Sequence, residues 1–470
     1  MIRNIKNNWQ SLIGYYNTQN GSASLTKGII STYNLQRPNG PQRKLCYAPF
    51  RNIYFGYGGK ASSCCYGRDY ILGEFPKQTI KEIWQGRQVQ ELREAISNNN
   101  LDKGCKGCLS QLLAKNFDAV KANQYDDYKV LNHQYPSVLE LELSNTCNLE
   151  CEMCSGVHSS LIRQNREHLP PLKQYYDDSF VQQLKDFLPY LEEIKFYGGE
   201  PFLIDIYYKI WDKVIEINPD IRLSVQTNGT ILNNRVKTML SKSNFHINLS
   251  IDSLQKETYN AIRVNANFDR VMENLKWFYD YCKQKNTYFG LSMCAMKNNW
   301  QEVIDFMEFA TSMQFPLTIH TVTTPKEMAI RNMPLNDIED IFKTYNKYQP
   351  KENSDIDIQN SAHYHDFTNQ IERWIVLKSK LVVNQQLREA INIDEFNNVL
   401  AKEIRLSKKI PEEIKAEAID KMHALFSDQN DLNNFKKAVD FEAEFLIDEI
   451  LNRILNYSLE DLKSQLKALA

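Results

Sequence analysis

The 470-residue sequence has no long apolar run and no strong excess of either charge. No stretch is apolar enough over about 20 residues to cross a bilayer, and Arg3 and Lys6 are not followed by the apolar segment of a secretory signal. The formal net charge of −2 provides no general attraction to nucleic acid. We therefore expect a cytoplasmic protein without a membrane partner and without a nucleic-acid partner.

Internal repeats and low-complexity tracts are also missing. Hydrophobic residues make up 42% of the chain and charged residues 24%, which is ordinary for a folded protein. The length predicts two or three domains.

The ten cysteines are the unusual feature, because eight of them lie between positions 46 and 154. Structural disulfides are rare in the cytoplasm, so this clustering indicates metal ligation. Cys282 falls on a predicted helix and is expected to pack in the core. Cys294 follows a predicted strand and is the one candidate for a catalytic side chain, although most buried cysteines are inert.

Short β-rich runs alternate with amphipathic helical stretches from residue 137 to about 350. The predicted strands cover residues 138–143, 193–197, 222–226, 246–251, 288–293 and 317–322. Such alternation implies right-handed crossovers and a parallel sheet. We therefore predict an α/β fold whose core is a partial (β/α)6 barrel of the TIM type.

The rest of the chain divides into three further segments. Residues 1–44 form a polar N-terminal extension, and residues 45–120 form a small cysteine-bearing module with a strand-like run at 52–57 and a helical stretch at 79–97. Metal would help to hold so small a unit together. Residues 351–470 are predicted to be helical, with helices at 393–406, 411–426 and 435–455.

Three cysteines directly follow the first strand of the predicted barrel, in the segment from Ser144 to Cys154. Thiolates hold iron–sulfur clusters, and three of them leave one iron open to a substrate. The spacings of four and three could instead place Cys147, Cys151 and Cys154 on one face of a helix as core residues. A zinc site completed by His158 is a second alternative. The polar residues before Cys147 favour a loop.

This Cys-x3-Cys-x2-Cys motif, placed after the first strand of a β/α array, resembles that of the radical S-adenosylmethionine (radical SAM) superfamily. The resemblance covers roughly residues 137–350. It implies that Cys147, Cys151 and Cys154 bind a [4Fe–4S] cluster whose open iron binds S-adenosylmethionine. One electron then cleaves the cofactor, and the resulting 5′-deoxyadenosyl radical abstracts hydrogen from a second substrate.

Polar or glycine-rich segments close the next strands of the predicted barrel. On the residues alone, Gly198–Pro201 and Thr227–Gly229 could be simple turns, Asp252 could cap a helix, and Arg263 could be an exposed cation. The resemblance instead implies that Glu200 binds the methionyl amino group and Arg263 its carboxylate. The residues that it assigns to the cofactor are Gly198, Gly199, Glu200, Pro201, Thr227, Asn228, Ser250, Asp252 and Arg263.

A second group of cysteines precedes the predicted barrel. The segment from Cys46 to Cys108 resembles an auxiliary-cluster module of the SPASM/twitch type, although such modules normally follow the barrel. The resemblance implies a second [4Fe–4S] cluster, with the ligands Cys46, Cys64, Cys105 and Cys108 and with Cys65 as the alternative to Cys64. Four thiolates would suit zinc equally well.

Radical enzymes with auxiliary clusters often modify peptides, so we expect a peptide or protein side chain as the substrate. A radical enzyme that acts on a small molecule is the alternative, and a non-catalytic metal-binding protein is a third hypothesis. The expected reductant is a protein such as flavodoxin or ferredoxin. The C-terminal helices could recognise a partner, cap the barrel or form a dimer surface.

Overall fold

The computed structural model describes residues 25–113, 115–407, 410–441 and 446–467. The first part of the predicted N-terminal extension therefore lies outside the described residues. The described chain forms two compact units. One contains the residues up to Met333 together with Ile341–Asn369, and the other contains Pro334–Asp340 and the residues from Gln370 onward.

The first unit is built around one nine-stranded sheet with the order β3-β2-β1-β4-β5-β6-β7-β8-β9. The strands are β1 (Asn52–Phe55), β2 (Lys60–Ser62), β3 (Gly73–Glu74), β4 (Val138–Leu141), β5 (Glu193–Phe196), β6 (Arg222–Thr227), β7 (Phe245–Ser250), β8 (Phe289–Ala295) and β9 (Leu317–Thr321). Strands β4–β9 are parallel neighbours in chain order. The prediction of an α/β fold with six parallel strands is confirmed.

Strand β1 adds a seventh parallel strand to this array. It pairs with β4 in the register Asn52↔Val138, while β2 and β3 continue the sheet in antiparallel fashion. The strand-like run at 52–57 was expected inside a small separate module. The structure instead makes the cysteine-bearing segment an extension of the barrel sheet, so both cysteine groups are held by one scaffold.

Helices cover one face of this sheet, where buried apolar side chains such as Leu139, Ile194 and Leu223 pack. The helices up to residue 313 are α1 (Lys27–Gln36), α2 (Ala48–Arg51), α3 (Ile80–Gln85), α4 (Arg87–Ser97), α5 (Lys106–Leu113), α6 (Ser160–Asn165), α7 (Asp178–Leu184), α8 (Asp205–Ile217), α9 (Asn234–Lys242), α10 (Lys256–Ile262), α11 (Phe268–Lys285) and α12 (Val303–Met313). The helical stretch expected at 79–97 is divided at Gly86, whose backbone is extended.

The remaining helices are α13 (Leu335–Tyr345), α14 (Asp355–Glu389), α15 (Ile393–Leu406), α16 (Glu412–Leu425), α17 (Gln429–Ala438), α18 (Leu446–Asn456) and α19 (Leu459–Lys467). The core of the second unit includes the aromatic trio Phe396, Phe426 and Phe435. The prediction of one helix over 435–455 is wrong. Helix α17 ends because Val439 adopts an extended backbone, and a new helix begins at Leu446.

Across the described residues, no helix combines the length and the apolar character that a membrane span requires. The other face of the barrel sheet is polar, because alternate residues of β4–β8 carry Glu, Lys, Ser, Gln or Asn side chains. Side chains alternate between the two faces of a strand. The functional groups therefore lie on this inner face and at the carboxyl ends of the strands, where such folds place their active sites.

Candidate metal centres and cofactor site

The three cysteines that follow β4 lie on an irregular loop rather than on a helix. All three are partly exposed and free of disulfides, so the alternative of a buried helical stripe is wrong. The loop is fixed by its backbone, since the Glu150 N–H donates to the Val264 carbonyl at 3.1 Å and the Glu152 N–H to the Ile262 carbonyl at 2.9 Å. These two bonds place Arg263 against the cysteine loop.

The thiols of this loop lie in a poorly solvated environment. Burial raises the pKa of Cys147 to about 11 and that of Cys151 to about 12, and the neighbouring thiols contribute to both increases. The Arg263 charge partly opposes the increase at Cys151. Thiols grouped in this way stay protonated until a metal centre offsets the cost of ionisation.

The Tyr57 hydroxyl supplies a further group beside this loop. It is buried, and among the described residues it has no hydrogen-bond partner. Burial, Glu142 and Cys154 are among the causes that raise its pKa, so it remains a donor. A buried donor without a partner is costly, and a sulfur atom of a bound cluster would provide the acceptor that this hydroxyl lacks.

Gly198 and Gly199 pack against the start of the cysteine loop. A Cβ at Gly199 would lie 2.2 Å from the Thr146 carbonyl oxygen, and one at Gly198 would lie 2.6 Å from that of Ser144. Gly198 also has a φ of 126°, which side chains rarely tolerate. These glycines therefore allow the close approach of two protein segments.

Glu200 is fully buried at the carboxyl end of β5. Its Oε1 accepts from the Thr227 hydroxyl at 2.8 Å and from the Phe202 N–H at 3.1 Å, while Oε2 accepts from the Asn228 N–H at 2.8 Å. Burial raises the pKa of this carboxyl to about 7, although the three donors oppose the increase. Thr227 and Asn228 thus orient Glu200 and lie in the same site.

Asp252 and Arg263 form a buried ion pair at the end of β7, with Nε and Oδ2 2.7 Å apart. The other oxygen of Asp252 accepts from the Cys294 N–H at 2.8 Å. Burial opposes the charge of Arg263, but Asp252 and then the Cys151 thiol outweigh it and raise the pKa. Asp252 does not cap a helix, because α10 begins later with Gln255 at its N-cap, and Arg263 is not exposed.

The two remaining candidates from the barrel lie nearby. Ser250 accepts from the Gln226 amide at 2.5 Å, and Pro201 is buried directly after Glu200. Cys294 is held next to Asp252 by its own backbone. Burial and the Asp252 charge raise the pKa of the Cys294 thiol, so this side chain is not an activated nucleophile.

The second cysteine group lines a partly open cavity of about 260 Å³. Cys46, Cys64, Cys105 and Cys108 all line this cavity, which we call the auxiliary cavity, and Cys65 does not. Burial and the thiols of Cys105, Cys64 and Cys108 raise the pKa of Cys46 well above its usual value. The structure thus brings together the four cysteines that the sequence selected, and it separates Cys65 from them.

No three His, Cys, Asp or Glu side chains in the described ranges converge closely enough to hold a single metal ion. His158, considered above as a zinc ligand, instead places its Nδ1 3.4 Å from the Glu142 carboxylate and its ring 5.5 Å from that of Tyr57.

The inner face of strands β5–β7, together with Tyr288 just before β8, forms a polar cavity of about 380 Å³. This inner cavity is lined by Glu193, Lys195, Tyr197, Arg222, Ser224, Val225, Gln226, His246, Asn248 and Tyr288. The Asn248 amide donates to Gln226 and to Ser292, each at 2.9 Å. Its buried Oδ1 has no hydrogen-bond partner in the described part of the chain, so it can accept from a ligand.

The cations of the inner cavity are compensated by carboxylates. Lys195 lies 4.0 Å from Glu140, and Arg222 lies 3.5 Å from Glu192 and 3.9 Å from Glu193. Burial and the Arg222 charge lower the pKa of His246, so its imidazole is neutral at pH 7. Sequence reasoning missed these lining residues. The polar side chains at every second position of β5–β7 were the signal that could have found them.

Comparison with known proteins gives two family matches. Residues 141–310 match the model of the Radical SAM superfamily, and residues 46–109 match that of an iron–sulfur cluster-binding domain, SPASM. The second match covers the auxiliary cavity cysteines, and the first covers the three-cysteine loop and the strands behind it.

Curated relatives align only with part of the chain. A GTP 3′,8-cyclase of Limosilactobacillus fermentum is 25% identical over 152 residues, which is 32% of this chain and 43% of the relative. Molybdenum cofactor biosynthesis protein 1 of Dictyostelium discoideum is 23% identical over 178 residues, or 37% of this chain and 27% of the relative. The chain thus spans less than half the length of these relatives.

Solved structures show a more distant likeness. The anSMEcpe protein with bound AdoMet is 21% identical over 44% of this chain and 58% of its own, with a TM-score of 0.35. Streptococcus suis SuiB bound to precursor peptide SuiA is 14% identical over 57% of this chain and 61% of its own, with a TM-score of 0.32.

The family matches agree with the strand order and with the positions of both cysteine groups. The chain therefore carries a domain of the radical SAM superfamily, which binds a [4Fe–4S] cluster and S-adenosylmethionine, and this domain follows an iron–sulfur cluster-binding domain of the SPASM type.

Proposed function

We propose that this chain is a radical SAM enzyme that abstracts hydrogen from a peptide or protein side chain. The observation that carries the proposal is the meeting of three groups at one edge of the sheet: the three-cysteine loop, the buried Glu200 and the buried Asp252–Arg263 pair. When bound, the cluster and S-adenosylmethionine supply a 5′-deoxyadenosyl radical. The protein's own part is to bind, orient and exclude water.

The first assignment concerns the ligands of the radical cluster. Cys147, Cys151 and Cys154 would hold it, with the Tyr57 hydroxyl as a donor to a cluster sulfur. Three thiolate ligands leave one iron of a [4Fe–4S] cluster without a protein ligand, and that position would take the second ligand.

The second assignment concerns the contacts to S-adenosylmethionine. Glu200, oriented by Thr227 and Asn228, would bind the methionyl amino group. Arg263 would bind the carboxylate, and its buried partner Asp252 would hold the guanidinium in place. Ser250 would contact the ribose. Gly198, Gly199 and Pro201 shape the backbone of this site.

The auxiliary cavity would hold the second [4Fe–4S] cluster through Cys46, Cys64, Cys105 and Cys108. Support comes from the lining of the cavity, which includes all four thiols and leaves out Cys65. A protein such as flavodoxin or ferredoxin would provide the electron.

The inner cavity favours a peptide over a nucleoside triphosphate. A triphosphate needs several cations without carboxylate partners, whereas Lys195 and Arg222 are both compensated. The free acceptor at Asn248 and the neutral His246 suit the N–H groups of a peptide or of an amide side chain. Sequence likeness to GTP 3′,8-cyclases supports the second candidate, a small-molecule substrate.

Anaerobic reconstitution of the purified chain tests this function. We expect about eight irons per chain, the content of two [4Fe–4S] clusters, and formation of 5′-deoxyadenosine from S-adenosylmethionine under a strong reductant. Adding GTP should leave the rate unchanged, whereas peptides translated from the open reading frames beside the gene should increase it. A chain that binds only zinc would contradict the enzyme assignment, and consumption of GTP would replace the peptide by the small molecule.

A further inference from the structure

Glu140 stands between the two cavities described above. It is a fully buried carboxylate on the inner face of β4, and its neighbours come from both sides. The Tyr125 hydroxyl donates to Oε1 at 2.9 Å, and Tyr125 itself lines the auxiliary cavity. One buried aromatic side chain therefore connects this carboxylate to the wall of the auxiliary cavity.

The second contact fixes the cysteine turn. The Cys65 N–H donates to Oε2 of Glu140 at 3.1 Å. Because Cys64 lines the auxiliary cavity and Cys65 does not, this bond restrains the residue next to a proposed ligand. Burial and the Glu140 charge raise the pKa of the Cys65 thiol.

Lys195 provides the third contact from the inner cavity. Its ammonium lies 4.0 Å from Oε1 of Glu140, within a network that also contains Tyr128 and Glu193. All three neighbours of Glu140 present N–H or O–H groups to its carboxylate. The ammonium is shared with Glu193, so it compensates the Glu140 charge only partly.

We propose that Glu140 is a positioning residue that makes the auxiliary cluster harder to reduce. This inference rests on the proposed ligation of that cluster by Cys46, Cys64, Cys105 and Cys108. A negative charge in a low-dielectric wall opposes the addition of an electron. Nearby charge and hydrogen bonding are the means by which proteins set the potentials of iron–sulfur clusters. Glu140 would act through Tyr125 and through the Cys65 backbone, without touching the substrate.

The test is a redox titration of the auxiliary cluster in the full chain. Cys147→Ala, Cys151→Ala and Cys154→Ala together remove the radical cluster, so that one signal remains in electron paramagnetic resonance. In this background, Glu140→Gln keeps an oxygen acceptor for the Cys65 N–H but removes the charge. We expect the midpoint potential to become more positive with the iron content unchanged.

Glu193→Gln is the matched control. Glu193 is a buried carboxylate on the neighbouring strand, bonded to Tyr128 and Ser224, and it does not line the auxiliary cavity. Its substitution should change the potential by a smaller amount. An unchanged potential in Glu140→Gln, or an equal change in both variants, would overturn the inference.

A second variant decides the question if Glu140→Gln fails to assemble the cluster. Tyr125→Phe keeps the Glu140 charge but removes a hydroxyl that partly neutralises it, so the potential should become more negative. No change, or a change in the other direction, would contradict the role of Glu140. Loss of iron already in the parent chain would instead refute the proposed auxiliary ligation, and the inference with it.

Discussion

The two cysteine sites of this protein are assembled in opposite ways. The three-cysteine loop holds three cysteines within residues 147–154, and charged groups from other strands lie around them. In the auxiliary cavity, four cysteines from residues 46–108 line one partly open cavity. Three ligands leave a cluster open to a cofactor, and four close it. The difference predicts chemistry at the first site and electron storage or transfer at the second.

Loss of one ligand from the open site should have the largest effect. We expect Cys151→Ala to abolish 5′-deoxyadenosine formation, because the cofactor can bind only to a correctly held cluster. The control is Cys282→Ala, which removes a buried thiol beside Phe245 and away from both sites. It should retain cofactor cleavage. Helical circular dichroism should be unchanged in both variants, and normal turnover by Cys151→Ala would remove it from the ligand set.

Loss of a proposed ligand from the auxiliary cavity should separate cleavage of S-adenosylmethionine from product formation. Cys105→Ala should lower the iron content by about four atoms per chain, while cleavage of S-adenosylmethionine in the absence of substrate continues. Cys65→Ala, whose side chain lies outside the auxiliary cavity, should keep the full iron content. Equal iron loss in the two variants would mean that both neighbours at positions 64 and 65 contribute to the site.

The same contrast explains how much the sequence could predict. The three-cysteine loop is contiguous and follows a strand, so the local pattern predicted a loop there, and the assignment of its cysteines to a cluster came from the resemblance to a family. Strands β4–β9 were placed to within one or two residues, because their runs are short and bounded by turn residues. The resemblance favoured Cys64 over Cys65 as a ligand, but the sequence could not show the Glu140 contact that orients their turn, because Glu140 comes 75 positions later in the chain.

Other features depended on contacts that no local pattern shows. The pairing of β1 with β4 joins segments more than 80 residues apart. The sequence alone therefore could not show that the cysteine-bearing module extends the barrel sheet. The helix predicted at 435–455 followed apolar spacing across Val439, whose extended backbone ends α17. The polar inner face was visible in the sequence as polar residues at alternate positions inside the strands. The predicted site residues lie instead at the carboxyl ends of the strands.

Breaking the buried Asp252–Arg263 pair should lower the free energy of unfolding more than breaking an ion pair at the surface. Arg263→Met would leave the buried Asp252 carboxylate without its ion-pair partner, which costs about 3–5 kcal/mol. Lys242→Met breaks an exposed pair with Asp212 and should cost less than about 1 kcal/mol. Urea unfolding of the iron-free chains measures both. Similar costs would show that the Asp252–Arg263 pair is better solvated than its burial indicates.

The smallest expected effect concerns Glu200, whose contribution to the free energy of unfolding changes only with pH. Burial raises the pKa of this carboxyl from 4.5 to about 7 in the folded chain. Between these values the folded state holds a proton that the unfolded state has lost, so stability must fall as the pH rises through this window. The full loss is about 3 kcal/mol, because a pKa difference of one between the folded and unfolded states corresponds to about 1.4 kcal/mol.

Glu200→Gln removes the titrating group and therefore removes this slope. In the iron-free chain, we expect wild-type stability to fall relative to the variant between pH 5 and pH 7 and to run parallel to it above pH 8. The fixed cost of replacing an oxygen acceptor by an amide does not change with pH, so the slope alone reports the buried carboxyl. Parallel curves over the whole range would show that donors from Thr227, Asn228 and Phe202 keep Glu200 ionised. The open site would then carry a permanent negative charge before any cofactor arrives.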